Sequence, residues 1–466
     1  MPTSERRPEG VSARVGLLGQ IVGPAQVLAD PGVVVSGVCP EVQVTPGTDQ
    51  ELARILAFAS KSGFGVCIAG GGTKLEWGNR PRKADILLRT EGLTGITEFD
   101  PENLSLSARA GTSISTLMTA ADQAGVLLPL DSDAPEHATV GGVVATGDQG
   151  ARRMMYGGLR DVVLGLKAVL ADGSCVSFGG RTMKNVTGYD LTKLFVGSFG
   201  SLGVITEVTL RLLPRPAASA LAVLRVRSLR EAQALVERVF ASVLEPVCLE
   251  VLSPGITPLL GREAWDILGL DQVSAGPVLV AGFAGYPAAV ERSLREMRAC
   301  LAAVTSVEAS TGAEKERFSI VTDAPDVAGF YGALSGLRES AAHADWSVIA
   351  KIDLPLSEVW PVAEVSESAT ASGAVCPYRI SVGSGCVQLF FGNDRTPGES
   401  SRFLTELRRQ AYAAGGHLVV VQGGAGLGPS FDVWGDLGSS VEVMKALKTR
   451  FDPAGILNSG RFVGGL

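Results

Sequence analysis

The chain alternates between segments with a helical period of apolar residues and short apolar runs that predict strands. The first helix is predicted at 48–63, where Thr48 and Glu51 form a capping-box pattern and Gly63 is a natural stop. Its apolar positions share one face: Leu52, Ile55, Leu56 and Ala59. The run at 66–68 then predicts a buried strand that leads into a glycine loop, as at the start of an α/β domain.

The pattern of predicted strands and helices changes after Pro214 and Pro216, which end a strand predicted at 204–213. Beyond them, the pattern predicts an α+β domain with one broad mixed or antiparallel sheet and helices on one face. Its strands are predicted at 277–283, 347–354 and 387–391, and its helices at 228–241, 291–304 and 398–414. We therefore divide the chain into a domain of two α/β subdomains (1–214), the α+β domain (215–430), and a helix and tail that return to the first domain (431–466).

The amino-acid composition narrows the classes of function that fit this chain. Glycine makes up 58 of 466 residues, about 12% against a usual ~7%, which predicts loops in close contact with a ligand. The formal charge of −7 and the lack of a basic run argue against a nucleic-acid partner. The seven cysteines are odd in number and include no C-x-x-C pair. This argues against a disulfide framework, a thiolate zinc site or an iron–sulfur cluster in this chain. The expected setting is a reducing cytoplasm. We recognise no signal peptide, and the uncharged stretch 273–290 contains two prolines, typical of a strand and turn rather than a membrane span.

Several common catalytic motifs are missing. Only three histidines occur, and no H-E-x-x-H, G-x-S-x-G or P-loop spacing is present. What remains is three glycine-rich loops, at 69–74, 138–147 and 183–206, that lie beside predicted strands. Backbone N–H groups that converge in such a loop can bind an anion. One loop alone is more simply an ordinary turn, but three in one domain indicate a long phosphate-containing cofactor held largely by main chain.

Four stretches of the first domain resemble the FAD-binding domain of the vanillyl-alcohol-oxidase-type, or PCMH-type, flavoproteins. They are residues 70–78, 139–146, 156–161 and 183–203, and the tail at 451–461 is similar to the closing motif of the superfamily. Within the superfamily, the likeness is to the FAD-binding subunit of bacterial glycolate oxidase (glycolate dehydrogenase). The resemblance implies a two-part PCMH-type FAD-binding domain followed by an α+β cap domain.

The resemblance also implies which residues bind FAD. The first two loops would hold the diphosphate and ribityl chain, and the third would lie along the adenine and flavin. The implied FAD-binding residues are Ala69, Gly70, Gly71, Gly72, Thr73, Lys74, Gly78, Thr139, Val140, Gly141, Gly142, Ala145, Thr146, Gly203, Val204 and Ile205. His137 is the residue to consider for a covalent bond to the flavin, but we interpret it as a solvent-facing loop histidine and expect FAD to be non-covalent.

The second domain departs from the catalytic D-2-hydroxy-acid dehydrogenases of the superfamily. Those enzymes carry histidines and a glutamate that bind a divalent metal and the substrate. The corresponding runs here, 382–388 and 422–428, keep glycines but lack the histidines and the Glu-His pair, so we expect no metal. Lys351, Arg379 and His417 are the remaining candidates for a carboxylate ligand or base, and each could equally be an ordinary surface or paired charge.

Three functions stay open. The first is an accessory FAD subunit of a glycolate-dehydrogenase-like complex, in which a second, catalytic flavin subunit oxidises the 2-hydroxy acid and an iron–sulfur subunit carries the electrons onward. The second is a self-sufficient D-2-hydroxy-acid dehydrogenase acting on D-lactate or glycolate. The third is a non-catalytic subunit that keeps only the flavin fold. In each case we expect a cytoplasmic protein without an integral membrane segment, either free or peripheral at the inner face of the cell membrane.

Overall fold

The computed structural model of the chain describes residues 8–181, 189–270, 276–305, 317–343, 346–371, 376–392, 396–428 and 430–466. The part of the third glycine loop at 183–188 lies outside these residues. Within the described ranges, no helix is both long and apolar enough to cross a membrane.

The first sheet has four strands in the order β1-β2-β4-β3, with β2, β4 and β3 parallel and β1 antiparallel at one edge. Its strands are β1 (Val27–Ala29), β2 (Val42–Val44), β3 (Val66–Ala69) and β4 (Ile86–Arg89), and its helices are α1 (Pro8–Val22) and α2 (Asp49–Ser62). The apolar face predicted for α2 packs into a core with these strands. This sheet positions the first glycine loop, which begins where β3 ends.

The predicted limits of α2 are confirmed, but its cap differs in one detail. The Glu51 N–H donates to Thr48 Oγ1 at 3.2 Å, and Gly63 ends the helix in the left-handed conformation with φ 68°. The Glu51 carboxylate accepts a hydrogen bond from the Gly47 N–H at 2.7 Å instead of the Thr48 N–H. The helix therefore uses one half of the capping box.

The second sheet has five strands in the order β5-β6-β10-β8-β9, all antiparallel. These are β5 (Ile96–Asp100), β6 (Ser105–Arg109), β8 (Val163–Val169), β9 (Cys175–Gly179) and β10 (Val204–Arg211), while β7 (Val126–Leu127) and β11 (Leu213–Pro214) form a separate pair. The helices are α3 (Ile114–Gln123), α4 (Val140–Thr146), α5 (Arg153–Tyr156), α6 (Leu159–Val162) and α7 (Thr192–Phe195). Helix α4 packs against β6 and β10, which brings the second glycine loop to the ends of both sheets.

The third sheet has eight antiparallel strands in the order β15-β12-β14-β13-β17-β18-β16-β19. They are β12 (Ala218–Arg225), β13 (Cys248–Leu252), β14 (Val278–Gly285), β15 (Phe318–Val321), β16 (Trp346–Asp353), β17 (Tyr378–Ser381), β18 (Cys386–Gly392) and β19 (His417–Gln422). The helices are α8 (Leu229–Phe240), α9 (Thr257–Leu260), α10 (Arg262–Leu268), α11 (Pro287–Thr305), α12 (Ala324–Ser335), α13 (Leu337–His343), α14 (Val359–Ala371) and α15 (Pro397–Ala413).

The prediction that helices cover only one face of this sheet is wrong. The long helices α8, α11, α14 and α15 cover one face, and the shorter α9, α10, α12 and α13 cover part of the other. The reason is that central strands such as β12 are apolar on both sides: Ala222 and Leu224 enter one core, and Leu221 and Val223 enter the other. The second core also receives Trp77 from the region after the first glycine loop.

The C-terminal segment consists of α16 (Ser440–Phe451) and a tail that joins the first sheet. The Val66 N–H donates to Ile456 O at 2.8 Å, and the Asn458 N–H donates to Val66 O at 2.8 Å. Ser439 and Glu442 have the sequence spacing of a capping box but do not form one, because Ser439 has helical backbone angles and its side chain makes no cap hydrogen bond. The tail thus adds a bridge beside β3, next to the first glycine loop.

Candidate functional site

A groove with about 700 Å³ of open space lies where the end of β3, helix α4, the start of β10 and the C-terminal tail meet. The residues that sequence analysis associates with FAD line this groove, except for Gly78 and Val140. Gly78 has φ 84°, and a Cβ there would lie 2.6 Å from Arg461 O, so Gly78 allows the tail to approach. Val140 is fully buried in the core of the second sheet.

The first glycine loop has free backbone donors. In the part of the chain that the structure describes, the N–H groups of Gly70, Gly71 and Gly72 have no protein acceptor. A Cβ at Gly70 would lie 2.0 Å from Thr139 Oγ1, and one at Gly71 would lie 1.7 Å from His137 O, so the loop requires glycine to pack on its neighbour. Adjacent unsatisfied N–H groups in such a concave loop form an anion-binding nest.

The second glycine loop behaves differently. The N–H groups of Val140, Gly141 and Gly142 donate to Thr112 O, Ala110 O and Thr139 Oγ1, at 2.9, 2.8 and 3.3 Å. These donors are used within the protein because α4 docks tightly on the second sheet; a Cβ at Gly141 would lie 2.6 Å from Ala110 Cβ. From the sequence we expected this loop also to bind a ligand through its N–H groups. That expectation is wrong for the first turn of the loop. This turn instead supplies a close wall of small residues.

The region 197–205 closes the same side of the groove. The Gly197 and Phe199 N–H groups donate to Val144 O and Ala145 O at the end of α4, at 2.9 and 2.7 Å. This attaches the described part of the third loop to the second loop. Gly203, Val204 and Ile205 then line the groove from β10, as expected. His137, by contrast, is exposed and does not line the groove.

Two groove residues from the C-terminal tail were not assigned to the site from the sequence. Asn458 accepts from the Ile68 N–H at 3.1 Å and donates to Phe199 O at 2.6 Å. The Arg461 guanidinium donates to Leu75 O and Trp77 O, and within the described residues no carboxylate pairs with it. Burial lowers the pKa of Arg461 to about 10, although Cys67 opposes this effect. The tail motif at 458–461 was the available signal, but only the fold brings it into the groove.

A second cavity of about 720 Å³ adjoins the groove beneath the third sheet. It is lined by both acidic and basic side chains, namely Asp131, Asp133, Asp148, Arg153, Arg338, Lys351 and Arg379. The acidic ones and Arg338 were not singled out from the sequence, since they come from separate loops and from α13. Of the sequence-predicted catalytic candidates, Lys351 and Arg379 line this cavity and His417 does not.

Most of these charges are paired within the protein. Arg379 Nε donates to Glu250 at 2.8 Å and its Nη1 donates to Leu334 O at 3.0 Å, while Ser381 also donates to Glu250 at 2.9 Å. Arg338 pairs with Asp133 and donates to Thr73 O at 2.8 Å. The structure therefore favours a positioning role for the Arg379 side chain, because its donors face protein acceptors.

Lys351 is less constrained. Its nearest carboxylate is that of Asp353, at 4.0 Å, and the side chain is 22% exposed. Burial lowers its pKa, but Cys386, Asp353 and Asp148 outweigh burial and raise it. Lys351 therefore keeps its positive charge while facing the cavity, and is available to an anionic ligand.

His417 lies at the start of β19, in register with Asp353 and outside the lining of the second cavity. Burial and the nearby Arg408 lower its pKa. The structure therefore does not bring His417 to the site with Lys351.

The groove and the cavity meet at an ion pair. Lys74 lines the groove, Asp148 lines the second cavity, and Lys74 Nζ lies 3.4 Å from Asp148 Oδ2. Burial lowers the pKa of Lys74. For Asp148, burial acts to raise the pKa, but Lys74, Lys351 and Arg338 outweigh it and lower the pKa. Asp148 is therefore a carboxylate that faces an amine of lowered pKa.

The run at 382–388 contributes polar side chains to the second cavity through Ser384, Cys386 and Gln388. Burial raises the pKa of Cys386 to about 12, so this residue is a neutral thiol. Among the described residues, no group of three or more histidine, cysteine, aspartate and glutamate side chains is arranged to hold a metal ion. The described site thus has charged residues but no metal cluster.

Comparison with known proteins agrees with this geometry. Residues 40–179 match the FAD binding domain family, and residues 436–462 match the C-terminal domain family of FAD linked oxidases. The chain is 29% identical over 428 residues to the glycolate oxidase subunit GlcD of Bacillus subtilis, covering 91% of this chain and 88% of that protein. It is 48% identical over 139 residues to the glycolate oxidase subunit GlcE of Escherichia coli, covering 30% of this chain and 39% of that protein.

The fold is also similar to that of a solved structure. The structure of p-cresol methylhydroxylase with bound substrate superposes with a TM-score of 0.71 at 15% identity, covering 97% of each chain. Free N–H groups in the first loop, the buried Arg461 and a wall of small residues fit an anionic dinucleotide such as FAD. By its FAD binding domain and its FAD linked oxidase domain the chain is an FAD-dependent oxidoreductase, and its fold is of the PCMH type.

Proposed function

We propose that this chain is the FAD-containing subunit of a glycolate-dehydrogenase-type complex and that its own flavin takes part in the oxidation of a 2-hydroxy acid. The observation that carries the proposal is the second cavity, which adjoins the groove and presents Lys351 without a close carboxylate partner. A solvent-shielded cation beside a flavin suits a small carboxylate substrate. The subunit names of GlcD and GlcE support assembly with other chains.

The proposed FAD site follows the groove, with FAD held non-covalently. The N–H groups of Gly70, Gly71 and Gly72 would bind the diphosphate, and Arg461 would offset its negative charge. Residues 139–146 and 203–205 would form the walls along the rest of the cofactor. Bound FAD supplies the acceptor for a hydride from the substrate carbon. We propose domain limits of 1–214, 215–430 and 431–466 for this arrangement.

Partners complete the proposed electron path. An iron–sulfur subunit would carry electrons onward, since the cysteines here show no cluster-binding pattern. In the rival arrangement, a second flavin subunit performs the oxidation and this chain is accessory. The polar lining of the second cavity favours a catalytic role for this chain, because a merely structural subunit gains nothing from burying so many charges.

The test is to copurify the chain with its neighbours, and separately to purify it alone and load it with FAD. Each sample is mixed anaerobically with glycolate or D-lactate while the flavin absorbance near 450 nm is followed. Bleaching of the isolated chain supports the proposal. Bleaching only in the presence of a second flavin subunit supports the accessory role, and a chain that cannot be loaded with FAD would contradict both.

A further inference from the structure

The buried pair of Lys74 and Asp148 at the boundary between groove and cavity is unusual for a structural ion pair. Lys74 is 7% exposed, yet its Nζ has no hydrogen-bond partner within the described part of the protein. The separation of 3.4 Å from Asp148 Oδ2 exceeds the ~2.8 Å of a charge-assisted hydrogen bond. A buried ammonium without hydrogen-bond acceptors destabilises the folded protein unless another group accepts its hydrogen bonds.

A second buried lysine in the same chain shows the contrast. Lys448 Nζ donates to Asp452 at 2.6 Å, to Leu457 O at 2.7 Å and to Ser201 O at 2.9 Å, which satisfies all three of its donors. Lys448 thus has the geometry of a structural residue. The Lys74 side chain is similarly shielded, 7% exposed against 10% for Lys448, but it has no such set of acceptors, and it lies between the groove and the second cavity.

The charges around Lys74 come from three parts of the fold. Asp148 follows α4, Asp133 precedes it, and Arg338 projects from α13. Trp77 provides an aromatic face, with its ring centroid 5.6 Å from Lys74 Nζ. Burial lowers the pKa of Lys74, Arg338 lowers it further, and Asp148 and Asp133 act in the opposite direction. The net direction is downward, toward the range in which an amine can act as a base.

We propose that Lys74 is the proton acceptor for the 2-hydroxy acid, with Asp148 as a positioning residue that orients the amine and stabilises its protonated form. The inference rests on the proposed function. In the step, the neutral Lys74 amine would take the proton of the substrate hydroxyl as the C–H bond breaks, and FAD, when bound, would supply the acceptor for the hydride. The hydroxyl-bearing carbon becomes a carbonyl carbon, so the substrate loses two electrons and two hydrogens. Lys74 thereby supplies the base that the histidine-free runs of the second domain lack.

The experiment uses the full chain loaded with FAD, together with any copurified partners. The rate constant of flavin reduction by glycolate or D-lactate is measured by anaerobic stopped-flow from pH 6 to 10. Because general-base catalysis contributes about 10²–10⁴-fold, Lys74→Met should slow reduction by about 100-fold or more. Lys74→Arg keeps the charge but cannot lose its proton, so it should be equally slow. The exposed Lys167, replaced by Met, is the matched control and should retain the wild-type rate.

Asp148→Asn provides an independent readout. Since Asp148 raises the pKa of Lys74, its removal should move the rising limb of the pH–rate profile to lower pH. Without substrate, NMR of ¹³Cε-lysine-labelled protein should show the Lys74 signal titrating below the ordinary range of a lysine, with Lys74→Arg giving the assignment. Retained flavin absorbance shows that each variant still binds FAD.

The outcomes separate the two proposals. If the wild-type flavin stays oxidised with both acids at every pH, the proposed function and this inference both fail. If the wild type is reduced and Lys74→Arg is reduced at the same rate, only the role of Lys74 is overturned. An Asp148→Asn profile that coincides with that of the wild type would likewise overturn it, even if the Lys74 variants do not fold.

Discussion

Lys448 and Asp452 form a buried ion pair of 2.6 Å at the end of α16, and the pair fastens the C-terminal tail. Asp452 also accepts from the N–H groups of Ile456 and Leu457, at 3.1 and 2.8 Å, and these two residues take part in the bridge to β3. Through this pair, the last helix holds Asn458 and Arg461 at the edge of the cofactor groove.

Replacing Asp452 by Asn should destabilise the protein. The change leaves the Lys448 ammonium buried without its counter-charge, which typically costs about 3–5 kcal/mol. Chemical denaturation should show this loss, and FAD release should accompany it because the tail lines the groove. The control is Glu442→Gln, which breaks the exposed pair with Lys445 and should cost less than about 1 kcal/mol. Equal losses for both variants would contradict the role of Lys448 and Asp452.

Gly71→Ala should abolish tight FAD binding with little loss of overall fold. A Cβ at this position would lie 1.7 Å from His137 O, so the first loop must shift and its N–H groups lose their common direction. We expect the FAD dissociation constant, measured by flavin fluorescence quenching, to rise at least about tenfold, or ~1.4 kcal/mol. Gly16→Ala in α1, where a Cβ meets no atom within 4 Å, is the control and should bind FAD normally.

Arg461→Met should weaken FAD binding by removing the buried cation of the groove. The guanidinium lies 5.1 Å from the Phe199 ring centroid and donates to two backbone carbonyls. The variant therefore loses both the positive charge and these contacts, which hold the tail in place. Arg461→Lys keeps the charge and should give an intermediate affinity in calorimetric titration with FAD. Replacement of the exposed Arg450 by Met should have no effect. An unchanged affinity in Arg461→Met would show that this cation does not contact FAD.

The cysteines should divide into two reactive and five protected thiols. Cys39 and Cys175 are exposed, whereas the others are buried, and burial raises the pKa of Cys67 to about 11 and of Cys248 to about 12. Because the thiolate is the reactive form, only two equivalents should react quickly with a disulfide reagent at pH 8. All seven should react in denaturant. A third fast equivalent from the native protein would contradict the buried environment.

The cofactor groove was largely predictable because each of its main components is a short continuous segment of the sequence. The segment from Thr48 to Gly72 contains its own cap, apolar face, strand and loop, so local physical rules predict its form without tertiary information. The second loop shows the limit of such reasoning. Its glycines are as evident as those of the first loop, but whether their N–H groups are free depends on Ala110 and Thr112, which belong to another part of the second sheet.

The charged cavity was not predictable for the same reason. Arg338 meets Asp133 only after α13 comes to lie over the loops of the first domain, and Lys74 meets Asp148 only when two separate loops of that domain come together. Nothing in the spacing of these residues shows such pairing. His417 and Lys351 illustrate the converse, since both are ionisable residues on neighbouring strands, yet only Lys351 reaches the cavity.

By itself, the amino-acid sequence determined an α/β domain with glycine-rich loops suited to a phosphate-containing cofactor, because hydrophobic period, caps and residues without a side chain act over a few neighbouring positions. The PCMH-type architecture and FAD were implied by the resemblance of those loops to known flavoproteins. The tertiary structure alone decided which backbone donors remain free, which cations keep an unsatisfied charge, and where the C-terminal tail closes the site. Those properties depend on burial and on partners from distant segments, since the energy of a charge or an N–H group is set by everything packed around it.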